Sequence, residues 1–232
     1  MPKLIIITGS RKGIGRYLSE YYLNKGMVVC GFSRRDSDLN HENYHHYNAD
    51  VSDEKLVGKL IRSIKKEFGK VDYLINNAGI ASMNHTLLTP LSTVEKIMDT
   101  NFKGTFIFSR EVSKIMIKEK FGRIINFTTV AVPMNLEGES IYASSKAAVE
   151  TFTKVLAREL GSLGITCNAV GPSPIKTDLI KNVPEGKIQE LLSKQAISEF
   201  SNLEDVANVT DFFLKEESKM ITGQIIYLSG VN

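Results

Sequence analysis

Tyr142 and Lys146 stand four residues apart at the start of a helix-period segment, which places both side chains on one helical face. A phenol of ordinary pKa, about 10, exchanges protons poorly at neutral pH. An ammonium one turn away stabilises the phenolate and draws that pKa towards the working range, so the pair reads as an acid-base device. Tyr-x-x-x-Lys alone is also a common exposed helical pair, and its meaning depends on what converges with it.

A glycine-rich turn supplies a second chemistry. Gly9, Gly13 and Gly15 punctuate Thr8-Gly9-Ser10-Arg11-Lys12-Gly13-Ile14-Gly15, between an apolar β-branched run and a helix bearing Tyr17, Leu18 and Leu23. Glycines there permit a tight turn and close backbone approach, while the helix N-terminus offers N–H groups and partial positive charge. A pyrophosphate suits such a turn, although the spacing is not GxGxxG and a plain strand-to-helix turn also uses one or two glycines. About 20 residues further on, an acidic residue would hold a ribose 2′-hydroxyl and a guanidinium would accept a 2′-phosphate. Ser33, Arg34 and Arg35 occupy that place, and Lys12 adds a cation within the turn, so NADP (NADPH) is favoured over NAD. Two solvated arginines at a strand end are the plainer alternative, and Asp36 takes the acidic role if the strand ends later.

The elements that must position these groups are written in the alternation of the chain. Apolar, β-branched runs at 3–8, 27–32, 46–49, 72–76, 123–128, 165–170 and 224–228 alternate with helix-period segments. That pattern predicts a single α/β domain over 1–232, doubly wound, with a seven-stranded parallel sheet and helices on both faces. One helix starts behind Ser52 or Asp53 and stops at Gly69; a second is opened by a capping box of Ser92 and Glu95 and runs towards Lys118; a third carries Ala147, Phe152, Val155, Leu156 and Leu160 and is closed by Gly161 and Gly164. Three prolines break the rhythm between Pro172 and Phe200, which predicts a substrate flap at about 172–200.

Composition excludes several other classes. The 232 residues carry 29 Lys and Arg against 26 Asp and Glu, a net charge of +3 without a dense basic cluster, which gives no nucleic-acid footprint. No apolar run approaches the roughly 20 residues of a membrane span, and the first eight residues enter a strand without a leader-like pattern. Two cysteines, Cys30 and Cys167, lie far apart in apolar runs and read as reduced, buried thiols of a cytoplasmic protein. His41, His45, His46 and Glu42 have no distant partner for a metal and read as a polar loop, so no metal site is expected. His85 reads as a surface-loop residue, and Glu137 and Glu139 as loop residues at the rim of a site.

Four motifs occur in order: Thr-Gly-x-x-x-Gly-Ile-Gly at 8–15, Asn-Asn-Ala-Gly at 76–79, Asn-Phe-Lys-Gly at 101–104 and Tyr-x-x-x-Lys at 142–146. Together with Asn48-Ala49-Asp50-Val51, Cys167-Asn168-Ala169-Val170-Gly171-Pro172 and Ile221-Thr222-Gly223-Gln224, they make the whole chain resemble the short-chain dehydrogenase/reductase family. The layout is most similar to its 3-oxoacyl carrier-protein reductase branch.

The resemblance implies hydride transfer between a nicotinamide cofactor and a carbonyl or secondary alcohol. In it, Tyr142 exchanges a proton with the substrate oxygen, Lys146 also holds the nicotinamide ribose, Thr129 binds the carbonyl oxygen, and Asn101 retains a water of the proton relay. Asp50 and Val51 flank the adenine, Asn77, Ala78 and Gly79 line the cofactor channel, and Pro172, Ser173, Ile175 and Thr177 face the nicotinamide amide. It further implies a homotetramer, and a carrier-protein substrate met by Lys120, with Leu163 where a second basic residue often stands. Three positions depart from the family pattern: Thr129 replaces serine, Ser173 the glycine after Pro172, and Ser229 an aspartate. The first two motivate an alternative reading, a catalytically weak cofactor-binding regulator or scaffold of the same fold.

Overall fold

The structure is a computed structural model that describes residues 2–178, 180 and 183–231. Its strands are β1 (Leu4–Thr8), β2 (Val28–Ser33), β3 (Tyr44–Asn48), β4 (Tyr73–Asn76), β5 (Gly122–Phe127), β6 (Ile165–Gly171) and β7 (Ile225–Tyr227). Its helices are α1 (Gly13–Asn24), α2 (Glu54–Phe68), α3 (Leu91–Met98), α4 (Gly104–Glu119), α5 (Ala131–Met134), α6 (Ser140–Leu160), α7 (Glu185–Ser193) and α8 (Leu203–Leu214). Among the described residues the strands form one parallel sheet in the order β3-β2-β1-β4-β5-β6-β7.

Every residue of β1 is buried, as a strand covered on both faces must be. Alternation along it feeds two cores. Leu4 and Ile6 pack with Val57, Ile61, Phe108, Val112 and Leu156 of α2, α4 and α6, whereas Ile5 and Ile7 pack with Leu18, Tyr22, Val206 and Phe213 of α1 and α8. The doubly wound architecture follows from this two-sided burial.

Local chemistry sets the helix ends. Asp53 caps α2 by accepting from the Leu56 amide at 3.0 Å, and Gly69 ends it with φ of +80°. The expected Ser92–Glu95 box is absent. Pro90, still extended at ψ of 144°, is the N-cap residue of α3, and Ser92 lies inside the first turn, past the position from which a side chain caps. The helix towards Lys118 is interrupted at the helix-disfavouring Asn101, where a π-type turn at Asp99–Lys103 joins α3 to α4.

The reading of His45 as loop is also corrected. β3 begins at Tyr44, pairing Tyr44 with Val29 and His45 with Cys30, and the His45 ring meets Phe68 edge-on at 5.0 Å. An aromatic platform on α2 gives this polar sequence a strand's packing. Cys30 and Cys167 are free and buried. Among the described residues no helix is long and apolar enough to cross a membrane, and no three His, Cys, Asp or Glu side chains gather as a metal site. In the expected flap, residues 179, 181 and 182 lie outside the described residues; the remainder contains α7 and a return that bonds Ser201 N to the Pro174 carbonyl.

Candidate active site

Strand order reverses between β1 and β4, and in such a sheet the crevice outside the carboxyl ends at that point is where ligands bind. The glycine turn follows β1 directly. Gly9 and Gly13 have φ of +71° and +54°, a region that an L side chain rarely enters. At Gly15 a Cβ would lie 2.3 Å from the Gly9 carbonyl oxygen and 2.4 Å from Asn77 Nδ2, so α1 starts against the turn only because that atom is missing. Lys12, the N-cap residue of α1, makes no side-chain capping bond, which leaves the helix N-terminus facing the crevice without that cap.

β4 braces the turn from the other side. Thr8 Oγ1 accepts from the amides of Asn77 and Ala78, each at 3.0 Å, and Asn77 Nδ2 donates to the Thr8 carbonyl at 2.9 Å. Thr8 is therefore a site residue that the motif contained and the chemistry of its side chain did not announce. Asn77 serves the turn's backbone here, while the exposed Gly79 faces the other side of the site: a Cβ on it would be 3.3 Å from Lys146 Nζ and 3.5 Å from Asn101 Oδ1.

At the end of β2, Arg34 and Arg35 are exposed, and Ser33 Oγ donates to the Arg35 carbonyl. Asp36 accepts from Asn48 Nδ2 in β3, so its carboxylate is turned back onto the sheet edge. Lys12 ion-pairs with Asp178 at 2.5 Å, which directs it to the segment after β6 instead of to the arginines. Thr177 lies against the turn as well, 3.6 Å from where a Gly13 Cβ would stand. Asp50 accepts from the amide and hydroxyl of Ser52; burial opposes its charge, but these bonds hold its carboxyl below the usual range. Val51 is buried against Gly104, where a Cβ would meet Val51 Cγ2 at 2.6 Å.

The acid-base pair lies across the crevice on α6. Tyr142 is 8% exposed and Lys146 4%. Burial pushes the Tyr142 phenol up to about 12; a hydrogen bond with the Thr129 hydroxyl pulls it down, and the Glu139 carboxylate adds to the rise. Burial pushes the Lys146 ammonium down to about 8, and its Nζ donates to the Phe127 carbonyl at 2.8 Å. Lys146 is not among the groups that set the phenol here: desolvation dominates it, and the ammonium is aimed at the end of β5.

Thr129 follows that strand end. Its Oγ1 accepts from the Ala131 amide at 3.2 Å, which leaves the hydroxyl hydrogen to be donated elsewhere. Asn101 sits in the π-type turn, fully buried; its Oδ1 accepts from Ile80 N at 2.9 Å, and its Nδ2 donates to the Ile80 carbonyl at 3.0 Å and to Ser145 Oγ at 2.9 Å. Ser145 in turn donates to the Tyr142 carbonyl at 2.7 Å, tying Asn101 to the helix that carries the pair. Neither Ser145 nor Glu150 was singled out by sequence. Glu150 continues the Tyr142–Lys146 face one turn on and accepts from Thr128 Oγ1 and, at 2.7 Å, from the Tyr227 hydroxyl.

Beyond β6, Ser173 and Ile175 are buried and Pro172 half-buried. Ser173 Oγ lies 2.6 Å from Ser201 Oγ. Among the rim residues, Glu137 is exposed, and Glu139 is the N-cap residue of α6, its carboxyl pushed up by burial. His85 caps a short 3₁₀ turn, accepting from Leu87 N.

A parallel doubly wound sheet with a glycine turn at its switch point defines a nucleotide-binding α/β protein. The chain belongs to the short-chain dehydrogenase family, whose model matches residues 3–188. It is 31% identical over 234 residues to the 3-oxoacyl-[acyl-carrier-protein] reductase FabG of Escherichia coli (strain K12), covering 98% of this chain and 96% of that protein. Among solved structures, ElxO with NADP bound superposes with a TM-score of 0.91 at 32% identity, over 99% of this chain and 98% of that one. The ligand-free aldohexose dehydrogenase of Thermoplasma acidophilum gives 0.89 at 28% identity, over 98% and 92%. The protein therefore has the Rossmann-like fold of an oxidoreductase family.

Proposed function

We propose that the protein is an NADP(H)-dependent oxidoreductase acting on a carbonyl or secondary alcohol, with a 3-oxoacyl thioester as the favoured substrate class. The observation that carries the reading is the cluster of Thr129, Tyr142 and Lys146 at the carboxyl edge of the sheet, across the crevice from the glycine turn. The residues fit a dinucleotide phosphate: the turn leaves backbone space where side chains would clash, α1 opens towards it, and Arg34 and Arg35 are exposed where a 2′-phosphate would lie.

When bound, the reduced nicotinamide supplies hydride to the substrate carbon. Tyr142 gives its hydroxyl proton to the substrate oxygen, and its elevated pKa keeps that proton in place at neutral pH. Thr129 donates a second hydrogen bond to the same oxygen as charge develops. Lys146, lowered by burial to about 8 and still largely protonated at pH 7, offsets the phenolate that remains and would hold the nicotinamide ribose. Asn101 fixes α6 through Ser145 and clamps the Ile80 backbone, next to Gly79 and the lysine.

Relatives named as acyl-carrier-protein reductases support the thioester class. A groove of about 660 Å³ lined by Lys120, Arg123 and Lys219 offers positive charge to an acidic carrier, with Glu216 as its one acidic lining residue. Exposed Phe106 on α4 and Val155 on α6 support self-association into the tetramer expected of these helices.

The test is NADPH consumption by purified protein with a panel of ketones and 3-oxoacyl thioesters, alongside Tyr142→Phe. Turnover that falls at least about a hundredfold in the variant is expected. Tight NADPH binding without turnover, or an undiminished Tyr142→Phe enzyme, overturns the reading in favour of a cofactor-binding regulator.

A further inference from the structure

We propose that His46 is a positioning residue that holds the arginine-bearing turn after β2 in place and so sets the preference for a 2′-phosphorylated over an unphosphorylated adenosine ribose. The proposal rests on the dinucleotide reading above and adds to it a determinant on a different strand. Tyr44 and His46 are two apart on β3 and project from the same face of the sheet edge. His46 Nε2 lies 3.0 Å from the Arg35 carbonyl oxygen and 3.1 Å from Ser33 Oγ, and Nδ1 lies 2.9 Å from the Tyr44 hydroxyl. That hydroxyl is 3.1 Å from Ser10 Oγ in the glycine turn.

The direction of this chain can be worked out. The Arg35 carbonyl only accepts, and Ser33 Oγ already spends its hydrogen on the same oxygen at 2.5 Å, so Nε2 must carry the ring hydrogen. In the neutral imidazole Nδ1 then accepts, Tyr44 donates to it, and Ser10 turns its one hydrogen to Tyr44 at 3.1 Å instead of to the more distant Phe32 carbonyl at 3.5 Å. One polarised line therefore runs Ser10, Tyr44, His46, Arg35, from the residues that would hold a pyrophosphate to those that would hold a 2′-phosphate.

The sheet makes room for that line at one place. A Cβ on Gly31 of β2 would lie 2.4 Å from the Tyr44 hydroxyl oxygen and 2.6 Å from Ser10 Oγ. Glycine in the middle of a buried strand weakens it and often marks close approach by another group. The group here is the Tyr44–Ser10 contact. With the Arg35 carbonyl held by Ser33 and His46, and the Asp36 carboxylate held by Asn48, the peptide that follows Arg35 is fixed while its guanidinium stays exposed. Without His46 the turn keeps its charge and loses its placement, and placement matters to a doubly charged phosphate and little to a plain ribose hydroxyl.

The experiment measures dissociation constants of NADPH and NADH, by cofactor fluorescence, for the full chain and for His46→Ala, His46→Gln and Tyr44→Phe. His46→Ala is expected to weaken NADPH about five- to tenfold, the effect of one lost hydrogen bond, and to leave NADH within about twofold. His46→Gln, whose amide N–H reaches the same carbonyl, recovers most of the loss, and Tyr44→Phe falls between. In the free wild-type protein, ¹⁵N chemical shifts of the His46 ring should report the Nε2–H tautomer, a readout that needs no cofactor. Equal weakening of both dinucleotides, no weakening of either, or the opposite tautomer overturns the proposal while NADPH binding by the wild type keeps the dinucleotide reading intact. Wild-type protein that binds neither dinucleotide overturns that reading and this proposal together. Should His46→Ala fail to fold, the comparison of His46→Gln with Tyr44→Phe gives the same decision.

Discussion

Ser229 Oγ lies 3.1 Å from Ser173 Oγ, joining the C-terminal segment to the turn that follows β6. Ser201, on the return of the expected flap, completes the cluster at 2.6 Å from Ser173 and 3.5 Å from Ser229. The two residues that depart from the family's usual glycine and aspartate are thus partners of each other. Hydroxyls tie those segments together, and both ends of the flap are stitched at one point. Ser173 and Ser201 are buried, so each bond matters more than on a surface.

Removing one hydroxyl should cost about 1 kcal/mol of unfolding free energy, and the double variant Ser173→Ala/Ser229→Ala should cost less than the sum of the singles. Ser229 also carries φ of +65°, a conformation that costs a non-glycine residue about 1–2 kcal/mol. Ser229→Gly should therefore be close to neutral where Ser229→Ala is destabilising. Denaturant unfolding decides it, and additive singles or a costlier glycine would refute the pairing.

Lys146 gives the molecule a pH signature. Its folded-state pKa of about 8 lies below the ordinary value of 10.5, so the native state resists a proton that the unfolded chain accepts. For a base lowered in this way, stability rises as pH climbs from about 8 to about 10.5 and is flat below 8. The shift corresponds to roughly 3 kcal/mol. Lys146→Met should remove this slope, so that the difference in unfolding free energy between variant and wild type changes by an amount of that order across the window. It should also abolish turnover. Parallel stability curves for the two proteins would show that the ammonium is not desolvated in the native state.

Thr129 separates the hydroxyl's contribution from that of its extra methyl. Thr129→Ser keeps the acceptor for the Ala131 amide and the free hydrogen, and its kcat should stay within about threefold of wild type. Thr129→Val keeps the shape and loses the donor, which should lower kcat by about a hundredfold or more, with the amide of Ala131 left unpaired. A Thr129→Ser enzyme much faster than wild type would show that the methyl crowds the substrate.

Much of this was legible in the sequence because it rests on periodicity and on backbone chemistry. The seven runs became seven strands, with shifts of one or two residues at their ends, since two-sided burial in a parallel sheet leaves a continuous apolar signature. The glycine turn was legible for a similar reason: missing side chains are visible in a sequence. What stayed hidden depends on where polar groups meet in space. Asn101, a helix-disfavouring residue in a helical stretch, signals a cap or kink without specifying a π-type turn, Ser145 looks like filler within its motif, and Ser92 with Glu95 imitates a capping box that the structure does not form. His45 reads as loop because its place in β3 rests on Phe68, a partner that only the fold brings near. The direction in which Lys146 points is of the same kind, since helical spacing places it beside Tyr142 and cannot show that the Phe127 carbonyl accepts its hydrogen bond.

Gly15 offers the sharpest test of whether the turn is shaped for a ligand or only for a chain reversal. Its missing Cβ lets α1 begin against both the Gly9 carbonyl and Asn77, the contact that locks the turn to β4. Both would-be neighbours are held in place, one being backbone and the other a side chain bonded to the Thr8 carbonyl, so neither can move aside cheaply. Gly15→Ala should therefore push the helix start away from the turn, lower stability by about 1–3 kcal/mol, and weaken dinucleotide binding by at least about tenfold. Gly26 provides the control. Nothing lies within 4 Å of a Cβ placed there, and with φ of +75° its replacement by alanine costs backbone strain alone. Comparable stability losses in the two variants, with cofactor affinity lost only in Gly15→Ala, would assign the turn to binding; unchanged affinity in Gly15→Ala would mean that the phosphates are held elsewhere.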